Sequence, residues 1–162
     1  MSIRTRPLHL ASLAAAAIAV SFSACSSTKT GEPTQITNSK YFLLDAEVTP
    51  ATVDPMIRFE NKRYMHGAIT RDEHKAREGH YYVFWWSDKV RTPAVVRFEY
   101  RQTNSGSQIL VQEMPVDSPR RKNKTRFTVL GDDYTNGGRV TAWRVSVLRD
   151  GAEVTSDQSY LW

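Results

Sequence analysis

From Lys40 to Trp162 apolar and polar residues alternate in short runs broken by turn signals. This is the period-two signature of strands with one covered face. PAVVRFEYRQ sets Val96, Phe98 and Tyr100 on one side and Arg97, Glu99 and Arg101 on the other. QILVQEM returns from the turn TNSGS, so these two runs should form a hairpin. RVTAWRVSVLR alternates in the same way, and Asp150-Gly151 is a tight-turn signal that sends the chain back as AEVTSDQSYLW. On that returning strand either Leu161 or Trp162 is expected to point inward. KYFLLDAEV, ending at Thr49-Pro50, HYYVFWW and TRFTVLG supply three more strands. MIRFENKRYM is expected to be another, because Met56, Arg58 and Glu60 alternate with Ile57, Phe59 and Asn61. GDDYTNGG reads as a turn, where Asp, Asn and Gly are locally favoured. The one helix expected is TRDEHKAREG, with Thr70 as cap, Glu73 completing a capping box and Gly79 as stop.

Short strands with turns every 8 to 12 residues or so predict an all-β fold. The expected architecture is a single β-sandwich of about seven or eight mainly antiparallel strands, with an eight-stranded barrel as the alternative. The hairpin around LRDGAEV resembles the last hairpin of immunoglobulin-like and fibronectin type III-like domains. A single cysteine leaves no Cys–Trp–Cys spacing, so a disulfide-bonded immunoglobulin domain is excluded.

The first 24 residues have a different character. Arg4 and Arg6 precede an apolar stretch, LASLAAAAIAVSF, that suits a signal peptide and is short for a bilayer span. Ser23, Ala24 and then Cys25 follow. This resembles the lipobox of bacterial lipoproteins, with Phe22 where that family more often has leucine. The resemblance implies removal of residues 1–24 and acylation of Cys25. It also implies a membrane held through that lipid anchor, since two or more acyl chains anchor a protein stably. Ser26, not aspartate, follows the cysteine, which resembles the sorting pattern of outer-membrane lipoproteins. That pattern implies the outer membrane, on its periplasmic face or the cell surface, over the inner one. Residues 25–39 then form the lipidated cysteine and a Ser- and Thr-rich flexible tether, and 40–162 the sandwich domain.

Of 162 residues 40% are hydrophobic and 24% charged, enough for a real core. The formal net charge is +5, of which Arg4 and Arg6 would leave with the leader. The remaining excess of base is mild, and together with export it argues against nucleic acid as a partner. No catalytic fingerprint is present: G-x-S-x-G, a Walker loop and a dinucleotide motif are all missing, and the lone thiol would be acylated. The chain is therefore expected to be non-catalytic and to need no cofactor. His66, His74 and His80 have no tight metal-ligand spacing, so no metal site is expected.

Two stretches could bind something. HYYVFWW carries six ring-bearing residues in seven positions, with His80, Tyr82, Phe84 and Trp86 on one face and Tyr81, Val83 and Trp85 on the other. It reads first as a central core strand. Tyr81, Tyr82, Trp85 and Trp86 would otherwise make a stacking platform for a glycan or an anchor for an envelope protein. PRRKNKTR places Arg120, Arg121, Lys122, Lys124 and Arg126 close together. It is either a solvated loop entering a strand or a contact for anionic lipid, lipopolysaccharide or acidic glycan. The function expected is a membrane-anchored, non-catalytic protein-interaction or structural module, with glycan binding through exposed aromatics as the alternative.

Overall fold

The computed structural model describes residues 32–45 and 54–162. Met1 to Ala24 and Cys25 therefore lie outside the described residues. The elements run β1 (Thr34–Leu44), α1 (Pro55–Met65), α2 (Arg71–Arg77), β2 (Gly79–Asp88), β3 (Ala94–Gln102), β4 (Leu110–Val116), β5 (Lys122–Leu130), α3 (Gly131–Gly137), β6 (Val140–Arg149) and β7 (Ala152–Gln158). The strands form two antiparallel sheets, a three-stranded one ordered β1-β2-β5 and a four-stranded one ordered β4-β3-β6-β7. The fold is a β-sandwich of seven strands, and the sheets do not close into a barrel.

Alternation builds the core. Along β3 every second residue from Ala94 to Gln102 is buried. Those side chains meet Tyr82, Phe84 and Trp86 from β2, Phe127 and Val129 from β5, and Val145 and Val147 from β6. Phe98 is fully buried at the centre, with the rings of Tyr82, Phe127, Tyr100 and Phe84 at 4.7, 5.2, 5.3 and 5.7 Å. Ring pairs at such spacings add to the burial of their area.

The open edges of the sheets are stitched to each other. The Gln112 amide on β4 donates to the Thr128 carbonyl on β5 at 3.0 Å. On the opposite side the Ser39 hydroxyl of β1 donates to the Asp157 carboxylate of β7. A third clasp ties three strands. Asp88 is wholly buried and accepts from Thr34 Oγ1 at 2.9 Å and from the Arg149 guanidinium at 2.5 Å, while Arg149 also donates to Thr34 Oγ1 at 2.8 Å.

Four sequence expectations are corrected. MIRFENKRYM is not a strand but helix α1. Asp54 accepts from the Met56 amide at 2.8 Å as N-cap and Pro55 occupies the first turn, a start signal that outweighs a short run of alternation. GDDYTNGG is not a simple turn but α3. Gly138, at φ 77°, closes it, and the Gln102 amide holds it by donating to the Asp133 and Gly138 carbonyls at 2.9 Å each. Thr34 to Ser39, assigned to the tether, belong to β1, because they pair with β2 from Asp88 to Phe84. The last strand ends at Gln158, leaving Tyr160 and Leu161 exposed, while the Trp162 ring lies 5.0 Å from the Arg101 guanidinium. The expected helix α2 is present, with the capping box between Thr70 and Glu73 complete. The DG turn has φ 49° at Asp150 and 78° at Gly151, the twist a two-residue hairpin requires.

Candidate functional site

β2 is the middle strand of its sheet, so both its backbone edges are consumed by β1 and β5. Its side chains divide between two environments. Tyr82 and Trp86 point into the core at 2% and 1% exposure, and the Trp86 indole N–H donates to Thr125 Oγ1 at 3.1 Å. These two cannot form a surface platform. The half-buried Tyr81 and Trp85 face outward.

Antiparallel register puts directly opposed residues on one face. Across the outer face three rows result: Phe42–Tyr81–Thr128, Lys40–Val83–Arg126 and Asn38–Trp85–Lys124. The charged run at 120–126 is thereby split. Arg120, Arg121 and Lys122 are exposed at the loop and the start of β5, whereas Lys124 and Arg126 stand on the sheet face beside the β2 rings. The Lys124 ammonium sits 5.2 Å from the Trp85 ring centroid.

Helix α1 lies against the other end of this face. Tyr64 stacks on Tyr81 at 3.9 Å and on Phe42 at 5.3 Å. Arg77 fixes that arrangement by donating to the carbonyls of Tyr64 at 3.3 Å and His66 at 2.6 Å, while its own carbonyl accepts from Tyr81 Oη at 2.7 Å. Burial, with the Tyr64 hydroxyl alongside, pushes the Tyr81 hydroxyl up to about 12, so it remains a neutral donor.

A hollow of about 390 Å³ results, within the range that holds small ligands. Tyr64, Tyr81 and Trp85 line it with ring surface, and Lys40, Arg63, Lys124 and Arg126 line it with positive charge. Glu60, on α1, accepts from Lys40 at 2.7 Å and lies 3.6 Å from Arg63. Lys124 and Arg126 have no carboxylate partner among the described residues. Four cations against one carboxylate, over aromatic walls, are suited to an anion that also has an apolar face.

The sequence alone did not single out Lys40, Arg63 or Tyr64. Tyr64 sits in the element read as a strand, and only the register of β1 with β2 brings Lys40 beside Val83.

The histidines do not converge. His80 is buried in the core and its Nε2 accepts from the Val140 amide at 3.0 Å, His74 Nε2 is 3.1 Å from the Ala68 carbonyl, and His66 is the C-cap of α1. No group of three potential metal ligands occurs among the described residues, and no helix among them is long and apolar enough to cross a membrane. Compared with protein families, with curated proteins and with solved structures, the chain matches none.

Proposed function

We propose that the chain is a lipid-anchored protein of the bacterial cell envelope, held at the outer membrane through Cys25, whose sandwich is a non-catalytic module that binds an anionic ligand. The observation that carries the binding reading is the hollow, where Lys124 and Arg126, without a carboxylate partner among the described residues, stand beside Trp85. A docking strand for a partner protein is less well supported on β2, which has a neighbour on each side; the free edges of this sheet belong to β1 and β5. The resemblance to immunoglobulin-like and fibronectin type III-like domains gains support from topology. Lettering the strands A, B, C, C′, E, F and G in chain order gives sheets A-B-E and C′-C-F-G, the arrangement in which C′ extends the sheet that holds G, F and C.

Two measurements test this. Labelled palmitate should enter the wild-type protein and not Cys25→Ala, and label on the alanine variant would defeat the anchor. Envelope extracts passed over immobilised full chain should yield an anionic component that a Lys124→Glu/Arg126→Glu variant fails to retain. Equal retention by both proteins would defeat the assignment of the hollow.

A further inference from the structure

Resting on that reading of the hollow, we infer that its ligand is an acidic saccharide: a sugar ring that lies on Trp85 and carries a carboxylate or phosphate gripped by Arg126. The geometry of the outer face carries the inference. Trp85 and Arg126 are diagonal neighbours on adjacent strands, a separation of roughly 7–8 Å between backbones. A ring over the Trp85 indole therefore brings its charged substituent within reach of the guanidinium fork. That fork matches a carboxylate or phosphate with two parallel hydrogen bonds, which an ammonium cannot do. Trp85 supplies apolar area for the C–H face of a sugar.

The row through Trp85 adds a partner for hydroxyl groups. Asn38 stands opposite Trp85 on β1 and is exposed, and Thr128 lines the hollow from β5. An amide and a hydroxyl both donate and accept, as sugar hydroxyls require. Lys124 covers the indole, and its flexible stem lets an incoming anion draw the ammonium off the ring. Binding should then change the emission of Trp85.

Other anionic occupants fit less well. A peptide laid over Trp85 finds no main-chain partner, because both sides of β2 are already hydrogen-bonded, and one added at the open edge of β1 or β5 would lie beside the hollow and not across the indole. A bilayer of anionic lipid meets charges on a convex or flat surface, whereas Arg126 and Lys124 line a hollow walled by Tyr64 and Tyr81.

The test uses the full chain, produced with its own leader and purified in nonionic detergent from whichever fraction holds it. Tryptophan emission and calorimetry follow titration with trigalacturonic acid, its neutral methyl ester, glucose 1-phosphate, hexaglutamate, and phosphatidylcholine vesicles with and without phosphatidylglycerol. Either acidic sugar should bind, and which one does identifies the anion. The methyl ester should bind at least about tenfold more weakly, as should Arg126→Gln and Arg126→Lys with either sugar. Trp85→Ala should lose both affinity and signal, and Trp85→Phe should keep most of the affinity. Unchanged urea midpoints for the Arg126 variants establish that they fold. Failure of both acidic sugars, or equal binding of the methyl ester, overturns the inference. Tighter binding of hexaglutamate or of phosphatidylglycerol vesicles, lost in Arg126→Gln, also overturns it and leaves the anionic-ligand reading standing. Silence toward every probe, with envelope retention unaffected by Lys124→Glu/Arg126→Glu, removes both.

Discussion

Replacing Asp88 by alanine should cost about 3–5 kcal/mol, the usual penalty for removing one member of a buried ion pair. The carboxylate is fully buried and accepts four hydrogen bonds, from Thr34 Oγ1, the Arg149 guanidinium and the amides of Val90 and Arg91. Without it the Arg149 side chain, only 12% exposed, is left charged and poorly solvated at the junction of the two sheets. Arg149→Met should cost less, about 2–3 kcal/mol, because Asp88 keeps its other three donors. In Asp88→Ala/Arg149→Met no uncompensated charge is buried, so the double variant should lie well short of the sum of the two. The assay is urea unfolding of the purified full chain, followed by tryptophan emission, with the coupling taken from the four-member cycle. Burial would raise the Asp88 carboxyl, but the bonds from Arg149, Thr34 and Val90 more than offset it and hold it below the ordinary value. A group depressed on folding contributes its stability above its unfolded value, near 3.8, and loses it as the pH falls through the folded one. The wild type should accordingly weaken in that acid window, and Asp88→Asn should show a flatter profile there. A cost under about 1 kcal/mol for Asp88→Ala, or strict additivity in the cycle, would refute the clasp.

Burial, helped by the nearby Arg139 charge, lowers His80 to about 4. It stays neutral when folded while the unfolded chain protonates near 6.5, so about 3 kcal/mol should be lost as the pH falls from 6.5 to 4, seen as a falling urea midpoint that His80→Phe abolishes. Phe98→Ala should cost about 3–5 kcal/mol by the same measurement, since the four rings around it cannot all collapse into the cavity. Gly79 has φ 131° and an added Cβ would collide with the Val129 carbonyl oxygen, so Gly79→Ala should lower the urea-derived stability by about 3 kcal/mol or more. Gly106→Ala, with open space around it, should cost about 1 kcal/mol.

Much of the fold was legible because a sandwich depends on period-two alternation and turn chemistry, and both are local. β3, β4, β6 and β7 with their two hairpins lie where the alternation and the turn residues put them. Two of the misreadings share one cause. In MIRFENKRYM the apolar residues that suggested a covered strand face are Met56, Ile57 and Phe59, all exposed, while the buried residue is Glu60. Hydrophobicity there does not report the core, so only the Asp54-Pro55 start could have identified the helix. Likewise Thr34 to Ser39 are mostly polar, and this part of β1 is held by backbone pairing and by Thr34 meeting Asp88 more than by apolar burial.

The site was less legible than the fold for a physical reason. Alternation gives the two faces of HYYVFWW, but both are aromatic, so composition could not rank Tyr82 and Trp86 against Tyr81 and Trp85. That choice is made by which face meets Phe98, a contact from the other sheet. The charge run raised the same difficulty, because five cations adjacent in sequence look like one patch. A strand turns alternate residues outward, which keeps Lys124 and Arg126 on the sheet face and sends Thr125 and Phe127 inward. Their counterparts Lys40 and Arg63 come from a strand and a helix far earlier in the chain. The hollow thus gathers its cations from three separate stretches of sequence, and its charge exceeds what any one of them indicates. Opposed only by Glu60 among the described residues that line or adjoin it, that concentration of charge is the property a ligand would exploit, and it exists only once β1, β2 and β5 are in register.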